Sequence, residues 1–292
     1  MQCSVGWVGT GVMGRSMCGH LLAAGCTVRV HTRTREKAAD LLAKGAAWAA
    51  TPRDAAAGSE VIFSMVGFPS DVEQVTLGPD GVLAGAKPGS VLVDMTTSQP
   101  SLAVRIHAEA AKKGVAALDA PVSGGDVGAR EAKLAIMVGG EQAAFDRVLP
   151  LFRKMGETIA LLGGPGSGQH TKMVNQIAIA ANMIGVVECL LYAHKAGLDQ
   201  AAVIDVIGKG AAGSFSINNL GRRIVKGDFN PGFFIKHFVK DMGIALDEAR
   251  RMRLSLPGLA LVHQFYVSAQ AVGLENLGTQ GLYQVLARMN GM

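Results

Sequence analysis

Cysteine is scarce in this sequence of 292 residues, and no two cysteines form a C-x-x-C pair. Isolated cysteines are typical of a reducing compartment, and they argue against both a disulfide framework and a zinc site. The four are Cys3, Cys18, Cys26 and Cys189. The chain also lacks the G-x-S-x-G motif of a hydrolase and the H-E-x-x-H motif of a metalloenzyme. We therefore expect no metal site.

No basic segment is followed by an apolar stretch and a cleavage site, so we expect no secretory leader. The longest apolar run, residues 173–192, contains Asn175, Gln176, Asn182 and Glu188, and such polar groups are costly in a bilayer. The run is therefore predicted to be a helix buried inside protein. We expect a cytoplasmic location and no membrane partner.

Charge is low and evenly spread. The 28 Lys and Arg residues exceed the 23 Asp and Glu residues by five, yet no basic run is interleaved with aromatic residues. This distribution indicates a solvated surface with a few anion contacts, and it argues against a nucleic-acid partner.

A glycine motif of the form G-x-G-x-x-G lies between a predicted strand at 3–8 and a predicted helix at 12–24, a context typical of dinucleotide binding. Gly9 permits a tight turn, Gly11 lets a pyrophosphate approach the backbone, and Gly14 allows close packing of helix on strand. The helix N-terminus offers N–H groups to the phosphates. A glycine-rich turn without a ligand is the alternative. The predicted cofactor contacts here are Gly9, Thr10, Gly11, Val12, Met13 and Gly14.

Strands and helices alternate in the first half, which predicts an α/β fold, a Rossmann-type doubly wound and mostly parallel sheet. Further strands are predicted at 28–32, 61–66, 91–95, 115–118, 134–138 and 158–162, and further helices at 35–44, 101–113 and 141–155. The pattern changes at the glycine-rich segment 163–168. We predict a dinucleotide-binding domain at 1–164 and an all-helical domain at 165–292, with helices at 170–196, 200–209, 217–226, 236–252 and 260–271.

The end of the second predicted strand bears on the choice of cofactor. NAD-binding folds usually carry an acid there that bonds the ribose 2′-OH, and here the sequence is Thr32-Arg33-Thr34. Arg33 and Thr34 are suited to a 2′-phosphate. An ordinary charged loop is the alternative. We predict NADP, with NAD as the second choice.

Lys172 and Asn175 stand three residues apart at the start of a predicted helix, so they share one face. A lysine in an otherwise apolar helix suggests a task such as proton transfer next to a cofactor. A lysine whose charged end reaches the surface is an equally good interpretation from spacing alone.

Four sequence blocks together resemble the β-hydroxyacid dehydrogenase family, which includes 3-hydroxyisobutyrate dehydrogenase, tartronate semialdehyde reductase and the glyoxylate/succinic semialdehyde reductases. They cover nearly the whole chain in the family's order. The blocks are Gly6-Trp-Val-Gly-Thr-Gly-Val-Met-Gly14, Asp119-Ala-Pro-Val-Ser-Gly-Gly125, the pattern Gly166-x-Gly168-x-x-x-Lys172-x-x-Asn175, and Lys240-Asp241.

The resemblance implies roles for individual residues. Lys172 matches the catalytic lysine that exchanges a proton with the substrate oxygen, and Asn175 matches a residue that holds substrate. Ser123, Gly124 and Gly125 match the loop that binds the substrate carboxylate. Further matches to cofactor contacts are Met65, Val66, Asp71, Thr97 and Lys240; Lys236 shares a helix face with Lys240, so one of the two lysines can be merely solvated. NADP-dependent members often have Asn-Arg-Thr where this chain has Thr32-Arg33-Thr34, and the lost Asn weakens the NADP prediction.

The resemblance implies hydride transfer between NADP(H) and a short β-hydroxyacid or its semialdehyde. An imine reductase is one alternative, although that group generally lacks a lysine at the position of Lys172, and a non-catalytic NADP-binding partner protein is another. A 6-phosphogluconate dehydrogenase would be substantially longer. The apolar helix at 173–192 needs a protein cover, so we expect a homodimer or homotetramer that binds a small carboxylate substrate.

Overall fold

The computed structural model describes residues 3–292 and separates into two compact units, Met1–Lys172 and Met173–Met292. The first unit contains all the strands of the described chain, and the second is helical. The predicted fold class, a Rossmann-type α/β fold followed by helices, is confirmed.

A six-stranded parallel sheet forms the centre of the first unit, in the order β3-β2-β1-β4-β5-β6. Its strands are β1 Ser4–Val8, β2 Thr27–His31, β3 Ala47–Trp48, β4 Val61–Ser64, β5 Val91–Asp94 and β6 Ala116–Asp119. All residues of β4 and β5 are buried, as expected for apolar, β-branched strands covered by helices on both faces. These strands end one or two residues earlier than predicted.

Helices connect the strands of the first unit. They are α1 Val12–Ala23, α2 Ala39–Ala43, α3 Pro52–Ala56, α4 Pro69–Leu77, α5 Val82–Gly85, α6 Pro100–Ala111, α7 Gly125–Arg130 and α8 Gln142–Phe152, with a 3₁₀ turn at Arg35–Ala38. The sequence prediction missed α3, α5 and α7. The helix expected to start at Asp71 is present as α4, which begins two residues earlier, at Pro69. Proline at the first position of α3 and the Thr51–Asp54 capping box were signals that could have found α3.

A second, three-stranded sheet was not predicted. It joins β7 Val122–Ser123 antiparallel to β8 Leu134–Val138, and β8 parallel to β9 Gly156–Leu161. We predicted β8 and β9 as part of one doubly wound sheet. They separate from it because the chain reverses after β6, so that β7 pairs with β8, and a two-residue strand leaves no periodic signal in the sequence.

Aromatic side chains fill the core on one side of the large sheet. Trp7 and Phe63 stack at 5.4 Å between ring centroids, and Phe152 packs edge-on against Phe63 at 6.2 Å. All three are fully buried, and such aromatic pairs contribute about 0.5–1.5 kcal/mol beyond area burial. Trp7 Nε1 also donates to the Gly9 carbonyl oxygen at 2.8 Å. The core therefore holds the start of the glycine motif in place.

The second unit consists of helices packed on their own apolar cluster. Tyr266 is fully buried there, and its hydroxyl donates to the Thr279 carbonyl oxygen at 2.8 Å. The helices are α9 Ser167–Lys195, which begins in the first unit, α10 Gln200–Ile207, a π-helical turn Ser216–Gly221 leading into α11 Arg222–Val225, α12 Ile235–Arg251, α13 Pro257–Ala271, a 3₁₀ turn Thr279–Gly281 and α14 Leu282–Met289. The predicted helices are present, and α14 was missed.

Helix α9 is more exposed than the sequence predicted. By length and composition it could cross a membrane, yet only 39% of its most apolar 18-residue stretch is buried. Because α9 also carries Lys172, Asn175, Gln176 and Glu188, which are costly in lipid, we interpret it as a core helix with one open face. Residues exposed at alternating spacings of four and three form that face: Val174, Ala178, Ala181, Gly185, Glu188 and Tyr192.

Candidate active site

The predicted cofactor residues of the first unit gather at one edge of the large sheet. The glycine motif follows β1, Met65 and Val66 follow β4, and Thr97 follows β5. Parallel strands end at the same edge, and open α/β sheets bind their ligands there. The Val66 N–H donates to Thr96 Oγ1 at 2.9 Å, which joins the segments after β4 and β5.

Two glycines of the motif are required by close backbone contacts. Gly9 has a φ of +98°, which disfavours a side chain, and a Cβ there would collide with the Met65 carbonyl oxygen. A Cβ on Gly14 would collide with the Gly9 carbonyl oxygen. These contacts hold the turn between β1 and α1 tightly folded.

The remaining features of this turn fit a dinucleotide. An added Cβ on Gly11 would meet no atom within 4 Å, so the backbone is open to a ligand. Gly11 caps α1 without a side-chain hydrogen bond, and the first N–H groups of a helix have no intrahelical acceptors. The Thr10 hydroxyl is buried, with no hydrogen-bond partner in the part of the chain that is described. A phosphate oxygen would satisfy these donors.

Arg33 lies just after β2, and its guanidinium stands 3.3 Å from Asp71 Oδ1 in the first turn of α4. The other oxygen of Asp71 accepts the Phe68 N–H at 3.1 Å. An acid does therefore occur next to Arg33, supplied by α4 and not by β2. Sequence reasoning looked for it only at the end of the strand. Thr34 follows Arg33 at the exposed start of the 3₁₀ turn.

The Ser123-Gly124-Gly125 turn joins β7 to α7. Gly124 has a φ of +131° and Gly125 a φ of +63°, both in the region that favours glycine. Successive backbone N–H groups in such a turn can form a concave anion site. The geometry is compatible with the predicted carboxylate site, which stays a prediction.

Asp119, at the end of β6, anchors the start of α9. Its Oδ1 accepts the Gly166 N–H and its Oδ2 accepts the Gln169 N–H, each at 2.8 Å. Burial raises the pKa of this carboxyl above its ordinary value, although the backbone N–H donors oppose the shift. A carboxylate at a helix N-terminus also interacts favourably with the helix dipole. Asp119 was noted only as part of a sequence block, and its anchoring role was missed.

Gln169 was also missed. It is fully buried, its Oε1 accepts the Ser98 N–H at 2.9 Å, and its Nε2 donates to the Thr96 carbonyl oxygen at 2.7 Å. One side chain in the first turn of α9 thus holds the backbone on both sides of Thr97. No local pattern in the sequence marks this residue.

Lys172 lies one turn further along α9 and is only 6% exposed. The alternative interpretation, a lysine that reaches the surface, requires more exposure than this. A buried ammonium is costly unless it has partners or a task. Its burial at an anchored helix start agrees with the predicted catalytic role, which no observation tests directly.

The predicted residues of the second unit belong to a hydrogen-bonded chain. Asn175 Nδ2 donates to Gln176 Oε1 at 2.7 Å, and Gln176 Nε2 donates to Asp241 Oδ2 at 2.6 Å. Lys240 Nζ lies 3.0 Å from Asp241 Oδ1 and is 12% exposed. Lys236 instead donates to Asn276 Oδ1 at 2.8 Å. The sequence did not show which of the two lysines is merely solvated, and Lys240 is the more enclosed of the two.

Among residues 3–292, no group of three or more His, Cys, Asp or Glu side chains could hold a metal ion. Asp94 and Asp119 are the buried carboxyls at the sheet edge, and both make hydrogen bonds within the protein. The first unit therefore brings together a glycine turn that is suited to a phosphate, an enclosed lysine and an open sheet edge.

Two family models match the chain in sequence. Residues 4–164 match the NAD binding domain of 6-phosphogluconate dehydrogenase. Residues 166–286 match the model described as NAD-binding of NADP-dependent 3-hydroxyisobutyrate dehydrogenase. Together they cover both units.

Relatives match over nearly the full length. A probable 3-hydroxyisobutyrate dehydrogenase-like protein of Arabidopsis thaliana is 53% identical over 99% of this chain and 86% of the relative. The 2-hydroxy-3-oxopropionate reductase of Escherichia coli is 39% identical, over 98% of this chain and 97% of the relative.

Solved structures agree with these matches. The 3-hydroxyisobutyrate dehydrogenase of Mycobacterium tuberculosis has a TM-score of 0.90 at 29% identity, covering 98% of this chain and 99% of that one. Psf3 in complex with NADP+ and 2-OPP has a TM-score of 0.88 at 29% identity, covering 97% and 99%. An imine reductase from Pseudomonas sp. has a TM-score of 0.63 at 19% identity over 98% and 100% of the two chains, a likeness of fold alone.

The fold and these matches define a dehydrogenase that uses a nicotinamide cofactor. The chain belongs to the β-hydroxyacid dehydrogenase family and is an NAD(P)-dependent hydroxyacid oxidoreductase. The imine reductase and non-catalytic alternatives are not favoured.

Proposed function

We propose that this enzyme interconverts a short β-hydroxyacid and its semialdehyde with NADP(H), and that Lys172 exchanges the proton at the substrate oxygen. The burial of Lys172 in the anchored first turns of α9 is the observation that carries the proposal. The relatives named for 3-hydroxyisobutyrate and for 2-hydroxy-3-oxopropionate support these two as the first substrates to test.

Each part of the site has a separate task in this mechanism. A nicotinamide held at the sheet edge would supply the hydride chemistry. Ser123, Gly124 and Gly125 hold the substrate carboxylate, and Asn175 contributes a polar contact. In reduction, Lys172 donates a proton to the carbonyl oxygen as negative charge develops there; in oxidation, Lys172 or a water linked to it accepts the hydroxyl proton.

NADP is the cofactor that we propose. Arg33 and Thr34 stand at the end of β2, where the ribose of a dinucleotide binds in this fold class. A guanidinium is suited to bidentate recognition of a phosphate. Gly9, Thr10, Gly11, Val12, Met13 and Gly14 would hold the pyrophosphate, with Met65, Val66, Asp71, Thr97 and Lys240 as further contacts.

Absorbance of the nicotinamide tests the function directly. We would measure turnover with 3-hydroxyisobutyrate, tartronate semialdehyde, succinic semialdehyde and glyoxylate, using NADP(H) and NAD(H). Lys172→Ala is expected to lower kcat about 10²- to 10⁴-fold, the usual contribution of acid–base catalysis, while NADPH binding measured by fluorescence is retained. Lys236→Ala is the control and should keep its activity. Equal rates for Lys172→Ala and wild type would contradict the proposal.

We also propose that the exposed face of α9 binds a second copy of the chain. The face has the alternating spacing of a coiled-coil seam, and Ala178, Ala181 and Gly185 at its centre allow close approach of two helices. Light scattering after gel filtration should show a dimer or tetramer. Gly185→Arg should lower the mass to that of a monomer, whereas Val206→Arg on exposed α10 should not. A monomeric wild type would reject this proposal.

A further inference from the structure

We propose that Gln169 is a positioning residue, which sets where Lys172 stands relative to the backbone around Thr97. The inference rests on the proposed role of Lys172 and adds a residue that neither the sequence motifs nor the comparisons point to. It concerns the first unit only, in which Gln169, Lys172 and Thr97 all lie.

Two sets of bonds meet at Gln169. Its backbone N–H is held by the Asp119 carboxylate, which fixes the start of α9 against the end of β6. Its side-chain amide bonds the Thr96 carbonyl oxygen and the Ser98 N–H, which fixes the segment after β5. Ser98 and Thr96, which precede Gln169 by 71 and 73 positions in the sequence, are thereby tied to the first turn of α9.

Lys172 follows Gln169 by three residues in the same helix. Side chains at this spacing are neighbours on the helix surface, so a shift of the first turn displaces Lys172 with it. Thr97 lies between the two backbone groups that Gln169 holds. A change at Gln169 therefore alters the distance between the lysine and the loop predicted to contact the cofactor, without removing either.

The side-chain amide is suited to this task because it donates at one end and accepts at the other. A methionine has nearly the same length but no donor and only a weakly accepting sulfur, so Gln169→Met removes both hydrogen bonds to the backbone. A glutamate keeps the acceptor for Ser98 N–H, but only its protonated form can donate to the Thr96 carbonyl oxygen. Burial favours that protonated form. Gln169→Glu should therefore recover as the pH falls.

The second unit provides a matched control. Gln280 is 1% exposed, and its Nε2 donates to the carbonyl oxygens of Asp228 and Asn230, each at 3.1 Å. Gln280→Met removes two hydrogen bonds between a buried glutamine side chain and the backbone, as Gln169→Met does. Both variants should lower the melting temperature to a similar extent. Only a positioning role makes their kinetics differ.

We expect Gln169→Met to lower kcat about 10- to 100-fold, because displacements near 1 Å reduce rates on this scale, and to shift the pH profile of kcat. Gln280→Met should keep the kcat and the pH profile of the wild type. Gln169→Glu should approach wild-type kcat at acid pH and lose it at alkaline pH. Equal kcat losses in the two Met variants, or an unchanged kcat and profile in Gln169→Met, would overturn the proposal.

A readout without turnover separates this proposal from the proposed function. Hydrogen exchange of the cofactor-free protein should show faster exchange of the Ser98 N–H in Gln169→Met, and unchanged exchange there in Gln280→Met. Suppose that no substrate is turned over, but that Gln169→Met alone shows faster Ser98 exchange and weaker NADPH binding. The proposed substrate class then fails, whereas the proposal that Gln169 positions the Thr97 segment stands. Unaltered exchange of the Ser98 N–H in Gln169→Met would show that the Gln169 side chain does not hold the segment after β5.

Discussion

Asp94 and Asp119 lie opposite each other in the register of β5 and β6, at the carboxyl ends of the two strands. Both are at most 5% exposed. Asp94 Oδ1 accepts from Ser64 Oγ at 2.8 Å and from the Thr96 N–H at 3.2 Å. Burial raises the pKa of Asp94 to about 6. The charge of Asp119 acts in the same direction, and the hydrogen bonds oppose the shift. Two enclosed carboxyls thus lie at the same sheet edge that is open to a ligand.

Asp94→Asn should stabilise the protein at alkaline pH. Because the folded pKa of about 6 exceeds the ordinary value of 3.8, the folded state binds the proton more tightly, and stability falls as the pH rises between these values. The full difference corresponds to about 3 kcal/mol. Asparagine keeps an acceptor at Oδ1 and carries no charge. The gain in unfolding free energy, measured with urea, should appear at pH 8 and vanish at pH 4; a gain independent of pH would contradict this account.

Asp119→Asn should destabilise the start of α9. The carboxylate accepts two backbone N–H groups, and an asparagine side chain has one acceptor oxygen for them. Leaving one buried N–H without a partner costs about 1–3 kcal/mol. Because burial raises the pKa of Asp119, the substitution also removes an unfavourable charge at pH 8, and urea unfolding at that pH measures the net loss. Asp126→Asn, which loses a partly exposed pairing with Arg130, should cost less than 1 kcal/mol. Equal losses would show that Asp119 is not the anchor.

Thr10→Val tests the dinucleotide site without disturbing the fold. The Thr10 hydroxyl is buried with no partner among residues 3–292, so its removal should leave the melting temperature of the cofactor-free protein unchanged or slightly higher. If a phosphate oxygen bonds this hydroxyl, NADPH affinity should fall about tenfold, which corresponds to about 1.4 kcal/mol. Thr76→Val removes another buried hydroxyl of the same kind and should leave affinity unchanged. Unaltered binding in Thr10→Val would remove this residue from the site.

Local signals predicted the parts of the fold that are local. The glycine motif, β1 and α1 come from one continuous segment, and the buried strands β4 and β5 are short apolar runs between turns. The second sheet was missed because β7 has two residues and its pairing with β8 depends on the reversal at Gly124 and Gly125. No pattern within β7 itself carries that information.

Some residues of the site were likewise predictable from local motifs, whereas others depend on long-range contacts. Lys172 was found from its motif, but its burial decides against the surface interpretation, and burial depends on the whole fold. Gln169 and Asp119 act on groups 47 to 73 residues distant in sequence. Such pairings depend on the order of the strands in the sheet. No local pattern in the sequence indicates that order.

The pair of Arg33 and Asp71 gives the sharpest test of cofactor choice. Arg33 is 83% exposed and its guanidinium lies 3.3 Å from Asp71 Oδ1, so a 2′-phosphate would compete with Asp71 for the same cation. Arg33→Ala should raise the KM for NADP about 10- to 100-fold, because a charge-assisted bond is lost, and change the KM for NAD little. Asparagine can keep the polar contact proposed for residue 71 but carries no charge, so Asp71→Asn should lower the KM for NADP by removing the anion that competes for Arg33.

Arg35→Ala is the matched control for this pair. Arg35 lies two residues along the same loop, with its guanidinium 5.6 Å from the centre of the Trp48 ring, and its loss should change the two KM values by similar factors. In the double variant Arg33→Ala, Asp71→Asn, the benefit of the second substitution should disappear, because Asp71 then has no cation to withhold from the phosphate. If Asp71→Asn still lowers the KM for NADP in the absence of Arg33, Asp71 acts on the phosphate directly, by repulsion, and not through the arginine.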